Sequence, residues 1–410
     1  MTGATTRGRR WLGLALIAGC AGDHLPGPPQ PVHGWQRLAA APPECTLQVT
    51  GDPAELPALD WQACPFAAGC RWAGAPWADD AGWGFGGLLS AAERGGRLYM
   101  SWSRALGDGV WETVMTADDW PIAAWRQRQG EPCLIGGPWL TPGGDASLVV
   151  LRRDSEQAPW VLHASPERLA RHPSVARFGG AGAAVRPRDI SAVSAGHLVL
   201  WEQSGRFAIR DLVAGTTIRP GTGAGESATD RWMRPTAPGP HGVLYQDEVG
   251  GLGSVRRITA DGRDELVAGG GGSFDAAVSD GLHAAWTRTT SAGVELWTAA
   301  TDRLDAPIRV ATLSSSPPPL LSIGGGWIAA RFDSHDVRLW RIADGADQTS
   351  ARRLPVAPDL DWDGGPHGLV LAGGRAWVKA SPAGRRGNDV RHLVRFDLEA
   401  LPRTVALPGS

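Results

Sequence analysis

The densest run of oxygen ligands in the sequence is Asp359-Leu-Asp361-Trp-Asp363-Gly364, with carboxylates at alternate positions followed by a glycine. Hard cations take oxygen ligands, and a turn that gathers three carboxylates can wrap one. Asp359, Asp361 and Asp363 are therefore the candidate metal ligands, with calcium as the ion and no other cofactor expected. The ten histidines are scattered, without His-Glu-x-x-His, His-x-His or Cys-x-x-Cys spacing, so zinc chemistry is not expected. No Gly-x-Ser-x-Gly elbow occurs, and no catalytic nucleophile can be named. Gly82-Trp-Gly84-Phe-Gly-Gly87 fits a phosphate-cradle string by letters. A cradle needs a strand before it and a helix after it, whereas Ala78-Asp79-Asp80-Ala81 precedes this one.

The acidic run resembles the start of an EF-hand-like or integrin-type calcium loop, and it departs from both further on. A twelve-residue loop wants a carboxylate where Val370 stands, and the shorter version wants one at His367. Aromatic rings offer a second chemistry, since they stack on sugars and anchor protein interfaces. Of the 20 tryptophans, Trp102, Trp201, Trp286, Trp297, Trp340 and Trp377 recur at equivalent strand positions and read as core. Trp139, Trp232 and Trp362 stand near the starts of units; with Arg231 and Arg234 they form the candidate binding surface.

The elements that must position these groups are strands. From residue 82 onward one texture returns: a glycine turn, a run of five to seven β-favouring residues, a polar turn and a second run. Gly96-Arg-Leu-Tyr-Met-Ser-Trp102, Gly196-His-Leu-Val-Leu-Trp201, Gly281-Leu-His-Ala-Ala-Trp286 and Gly374-Arg-Ala-Trp-Val-Lys379 are four of seven copies, with a mean period of about 46 residues. The second runs alternate apolar with polar, as in Val294-Glu-Leu-Trp-Thr298 and Val337-Arg-Leu-Trp-Arg-Ile342, so one face of each strand is buried. Shorter third runs, such as Ile308–Leu313 and Thr404–Leu407, are expected as outer strands of their own units.

Four short antiparallel strands repeated seven times predict an all-β, seven-bladed β-propeller, with six or eight blades as alternatives. The endings Val294-Glu-Leu-Trp297 and Val337-Arg-Leu-Trp340 resemble blades of the TolB-like and WD40-like repeat families. That resemblance implies architecture and no particular activity. The expected division is a signal at 1–19, a tether at 20–43, a cysteine-bearing segment at 44–81 and the propeller at 82–410. Cys45-Thr-Leu-Gln-Val-Thr50 is the best strand of the cysteine segment. It is expected to pair with the last blade or pack across the first, secured by a disulfide.

The N-terminus supplies an address. Arg7, Arg9 and Arg10 precede an apolar run from Trp11 to Ala18 that is far too short to cross a bilayer. Ile17-Ala18-Gly19-Cys20 resembles a bacterial lipobox, which implies lipid attachment at Cys20, and Ala21 after it implies sorting to the outer membrane. Cys45, Cys64, Cys70 and Cys133 remain, an even count that suggests two disulfides with three pairings open.

A formal charge of −2, with 40 basic against 42 acidic residues, offers nothing to neutralise phosphates, so no nucleic-acid partner is expected. Gly and Pro make up 88 residues, below the level that marks low complexity. The resulting expectation is a monomeric, non-catalytic outer-membrane lipoprotein, held by its lipid, whose propeller binds an envelope protein or glycan. The alternative is an exported hydrolase or lyase working at the channel mouth.

Overall fold

The computed structural model describes residues 34–406 apart from 42, 75–88, 108, 129–132, 141–144, 153–159, 172, 178–189, 194–196, 202–206, 212–215, 220–230, 237–240, 250–251, 260, 270–272, 314–318, 356, 358–359, 363–367 and 384–391. Cys20, Asp359 and Asp363 lie outside the described residues, as do the side chains of Arg231, Trp232 and Arg234.

The described strands form seven antiparallel sheets in chain order. The fifth shows the plain pattern: Ser273–Ser279, His283–Thr290, Gly293–Ala300 and Ile308–Leu313 pair consecutively. Gly293–Ala300 alternates in burial along most of its length because successive side chains point to opposite faces. Among the described residues helix is confined to Pro166–Leu169 and the 3-10 turn Ile342–Asp344. First strands of consecutive sheets touch one another from the fifth sheet through the sixth and seventh to the first and second, so they are the innermost strands.

Three sheets take in strands from outside their own stretch of chain. In the seventh, Leu360–Trp362 and Leu369–Ala372 both pair with Arg375–Pro382, which pairs with His392–Asp397. The next strand outward is Cys70–Gly74, registered as Leu393↔Ala73 and Phe396↔Cys70, followed by Gln62–Ala63. The expected outer strand of this unit goes elsewhere: Arg403–Ala406 pairs with Ser350–Arg353 at the edge of the sixth sheet. The outer position of the seventh sheet is already filled by the N-terminal strand, so the C-terminal strand caps the neighbouring edge. Gln48–Thr50 pairs with Trp120–Arg128 and extends the first sheet, with Gln36–Arg37 outside it. The best strand of the cysteine segment thus joins the first sheet by hydrogen bonding rather than packing across it.

The disulfides are Cys45–Cys133 and Cys64–Cys70. The first ties the added edge of the first sheet to the start of the second; the second closes the turn that leads into Cys70–Gly74. The seventh and first sheets share one core, in which Trp102, Met100 and Val114 of the first pack with Trp377, Leu393 and Ala372 of the seventh. Trp102, Trp286, Trp340 and Trp377 are all buried as their recurrent positions predict, Trp297 is half-buried, and the side chain of Trp201 lies outside the described residues.

The two ends of the sheets differ. At one end sit the first-to-second and third-to-fourth connections, including Gly95-Gly96, Gly325-Gly326 and Gly373-Gly374, each with both glycines at positive φ as two-residue hairpins require. A Cβ at Gly325 would stand 2.7 Å from the Gly373 amide nitrogen, so neighbouring sheets approach too closely there for a side chain. At the other end leave the second-to-third and inter-sheet connections, among them those bracketed by strand ends at 178–189 and 219–230. We call these the turn face and the loop face.

Candidate functional site

On the loop face, the connection between Trp327–Arg331 and Val337–Arg341 folds into a turn built by its own aspartates. The Asp333 carboxylate accepts the backbone N–H of His335 at 2.6 Å and of Asp336 at 2.7 Å, and Phe332 N–H donates to the Asp336 carbonyl at 2.9 Å. Aspartate satisfying the amides two and three residues on is the usual reason a polar pentapeptide holds a fixed turn. Asp336 is anchored by Arg338 at 2.7 Å and Arg353 at 3.3 Å, and the Arg338 guanidinium lies 4.5 Å from the Phe332 ring centre.

This turn presents Ser334 and His335 to the first strand of the seventh sheet. His335 Nε2 is 2.9 Å from Asp361 Oδ1, and Ser334 Oγ is 2.9 Å from His335 Nδ1. Trp362 N–H donates to the Ser334 carbonyl at 3.2 Å and pins the two sheets together. With the proton on Nε2, His335 donates to Asp361 and accepts from the Ser334 hydroxyl. A serine, a histidine and an aspartate in that relation are suited to proton abstraction from the hydroxyl. The His335 side chain is 50% exposed, so the group opens to solvent at the rim.

The sequence-predicted residues divide as follows. Asp361 is half-buried and joins His335, while its neighbours Asp359 and Asp363 lie outside the described residues. Trp362 is 2% exposed and packs edge-on against Phe396, which puts it in the core rather than on a binding surface. Period-two alternation explains this, since Leu360 and Trp362 point inward and Asp361 outward. Trp139 is half-buried in Cys133–Leu140, and Arg231, Trp232 and Arg234 belong to the first strand of the fourth sheet, Arg231–Pro235. Trp139 and Trp232 belong to the second and fourth sheets and Asp361 to the seventh. Ser334 and His335 were missed; the readable signal was a histidine inside the acidic run Asp333-Ser-His-Asp336.

Other charged groups are structural. Glu112, fully buried, receives Arg104 at 2.6 Å and Arg126 at 2.7 Å within the first sheet. Tyr245 donates to both carboxylate oxygens of Asp264 at 2.9 Å; burial, then that carboxylate, raises the pKa of its phenol. Burial followed by donation to Glu167 pushes the Tyr99 phenol up to about 12. A cavity of about 280 Å³ on the turn side of the sixth sheet is lined by Trp327, Arg341, Asp347, Gln348 and Arg352. Arg352 there donates to the Leu398, Glu399 and Leu401 carbonyls, which makes the cavity wall a joint between chain segments. Among the described residues no group of three or more His, Cys, Asp or Glu could hold a metal ion, and no helix is long and apolar enough to cross a membrane.

Among solved structures, the oligogalacturonate lyase from Vibrio parahaemolyticus is similar over 83% of this chain and 97% of its own, at 11% identity and a TM-score of 0.50. The β-propeller domain of the Trilobed protease from Pyrococcus furiosus matches over 79% of this chain and 99% of its own, at 12% identity and a TM-score of 0.47. An acylaminoacyl peptidase from Pyrococcus horikoshii matches over 76% of this chain and 52% of its own, at 12% identity and a TM-score of 0.44. No family model matches the sequence, and no curated protein matches it. At these identities the likeness bears on fold alone, and in agreement with the sheet arrangement the fold is a β-propeller.

Proposed function

We propose that the protein is a monomeric, non-catalytic outer-membrane lipoprotein whose propeller binds an envelope protein or glycan on its loop face. The observation that carries this reading is the asymmetry of the two faces: tight glycine hairpins at one end, and at the other the strand ends Arg177, Ile190, Ile218 and Arg231 that bracket two long inter-sheet connections. Binding residues concentrate on loops held by a rigid scaffold. Two disulfides support export to an oxidising compartment, in keeping with the signal and the Cys20 motif. Seven sheets, with the seventh packed on the first, support a seven-bladed closed ring.

The test uses the non-acylated protein immobilised against envelope glycans and envelope protein fractions. Replacing 178–189 and 219–230 with short Gly-Ser connections should abolish retention of the bound partner, while changes at Gly95-Gly96 leave it intact. Retention that survives the loop replacements contradicts the proposal.

One observation favours the second reading, an exported hydrolase: the Ser334, His335 and Asp361 arrangement at the rim. Under it, Ser334→Ala and Asp361→Asn each lower turnover of an ester or glycoside substrate at least a hundredfold without shifting the melting temperature. Equal turnover in wild type and both variants removes this reading.

A further inference from the structure

The described chain starts at Gly34 on the outer edge of the first sheet, and its direction there follows from the pairing. Gln36 is registered with Val49 and Val49 with Trp125; Arg37 is registered with Gln48 and Gln48 with Arg126. Two antiparallel steps make Gln36–Arg37 run parallel to Trp120–Arg128. Moving back toward the N-terminus therefore means moving toward Trp120, and Trp120 follows the Asp118-Asp119 hairpin on the turn face. Trp120 itself is 75% exposed, the most exposed of the large apolar side chains described, and Leu282 on the same face is 56% exposed.

From these facts we infer that the turn face lies against the lipid surface and the loop face points away from it. The inference rests on the lipid anchor at Cys20 proposed above. Cys20 and Gly34 are fourteen residue steps apart, which span at most about 50 Å even fully extended. To present the loop face instead, the same chain would first have to run along the edge of the first sheet. Nine residues, as in Trp120–Arg128, make that edge roughly 30 Å long. A tether of fixed reach raises the effective concentration of whatever face it leaves from at the surface to which it is tied. Trp120 supplies the chemistry for contact, because tryptophan partitions to the bilayer interface. Charge on this face is balanced: Arg94 and Arg97 sit with Asp145 and Asp118, Arg263 with Asp261, and the exposed Arg303 stands between Asp302 and Asp305 in the chain. The docking is thus expected to depend little on anionic lipid.

The two ends of one strand of the fifth sheet, His283–Thr290, give matched probe positions. Leu282 precedes it on the turn face, and the exposed Ala292 follows it on the loop face. Leu282→Cys and Ala292→Cys, each labelled with an environment-sensitive fluorophore in the full acylated protein on zwitterionic vesicles containing spin-labelled lipid, report depth directly. At least twofold stronger quenching at 282 than at 292 is expected, with the ratio falling when Trp120→Ser is added. Equal quenching, or stronger quenching at 292, overturns the orientation. An unchanged ratio with Trp120→Ser overturns the role of Trp120. An acylated chain that fails to associate with vesicles overturns the anchor itself, and that failure is distinct because no quenching appears at either position.

Discussion

The fifth and seventh sheets make the same architecture in opposite ways. The fifth is assembled from Ser273 to Leu313 without interruption, each strand pairing with the next. The seventh takes its inner strands from 360–397 and its outer strands from Cys70–Gly74 and Gln62–Ala63, roughly 300 residues away along the chain. What fastens the seventh sheet is correspondingly dense. Arg395 pairs with Asp119 of the first sheet over the Trp61 ring, Arg375 stands 3.9 Å from the same carboxylate, and Cys64–Cys70 closes the turn into the added strand. The fifth sheet shows the surface pairs Arg309 with Glu295 and Asp347 instead. A sheet whose contacts are local needs few tertiary fasteners; one closed by a distant strand must recover a larger loop-closure entropy.

That contrast can be broken most severely by deleting residues 62–74. The seventh sheet then loses both outer strands, and a loss of more than about 5 kcal/mol is expected in denaturant unfolding, of the size that marks removal of a packed element. Leu313→Ala at the edge of the fifth sheet is expected to cost only about 2–3 kcal/mol. Comparable losses would mean that the N-terminal strands do not secure the seventh sheet.

The disulfides sharpen the same point. Chain-entropy reasoning gives about 4–5 kcal/mol for Cys45–Cys133, with its separation of 88 residues, against about 2 kcal/mol for Cys64–Cys70, with a separation of 6. Paired Cys→Ser variants measured by urea unfolding should keep that order, and its reversal would place the main fastening at the short loop. Next in size is Arg395→Ala, expected to cost about 1–3 kcal/mol by stripping a partner from Asp119. Arg309→Ala on the fifth sheet should cost at most about 1 kcal/mol, as exposed ion pairs do.

One further effect appears only at high pH. Tyr99 titrates near 10 when unfolded and near 12 when folded, so its contribution is fully present below pH 10 and is lost as pH rises from 10 to 12. Tyr99→Phe should remove that step from a plot of stability against pH; an unaltered alkaline decline would assign it to other groups.

How much of this was legible follows from where each contact lies. The all-β strand texture could be read because glycine hairpins and period-two alternation are local signals, and the burial of Trp102, Trp286, Trp340 and Trp377 follows from the same alternation. The outer strand of the seventh sheet could not be read, since Cys70-Arg-Trp-Ala-Gly74 is short and its partner is distant. Assigning Thr404–Leu407 by order alone misplaced it for that reason. At the candidate site, Asp361 stood out by type and spacing. Its partner His335 belongs to another sheet, and only the turn made by Asp333 brings the two together.

Cys70–Gly74 completes the seventh sheet by pairing with His392–Asp397, and amide hydrogen exchange tests that pairing most directly. Amides of Cys70–Gly74 should be protected to the same degree as those of His392–Asp397, and both should lose protection together when Cys64 and Cys70 are replaced by serine. Rapid exchange across Cys70–Gly74 while His392–Asp397 stays protected would contradict it.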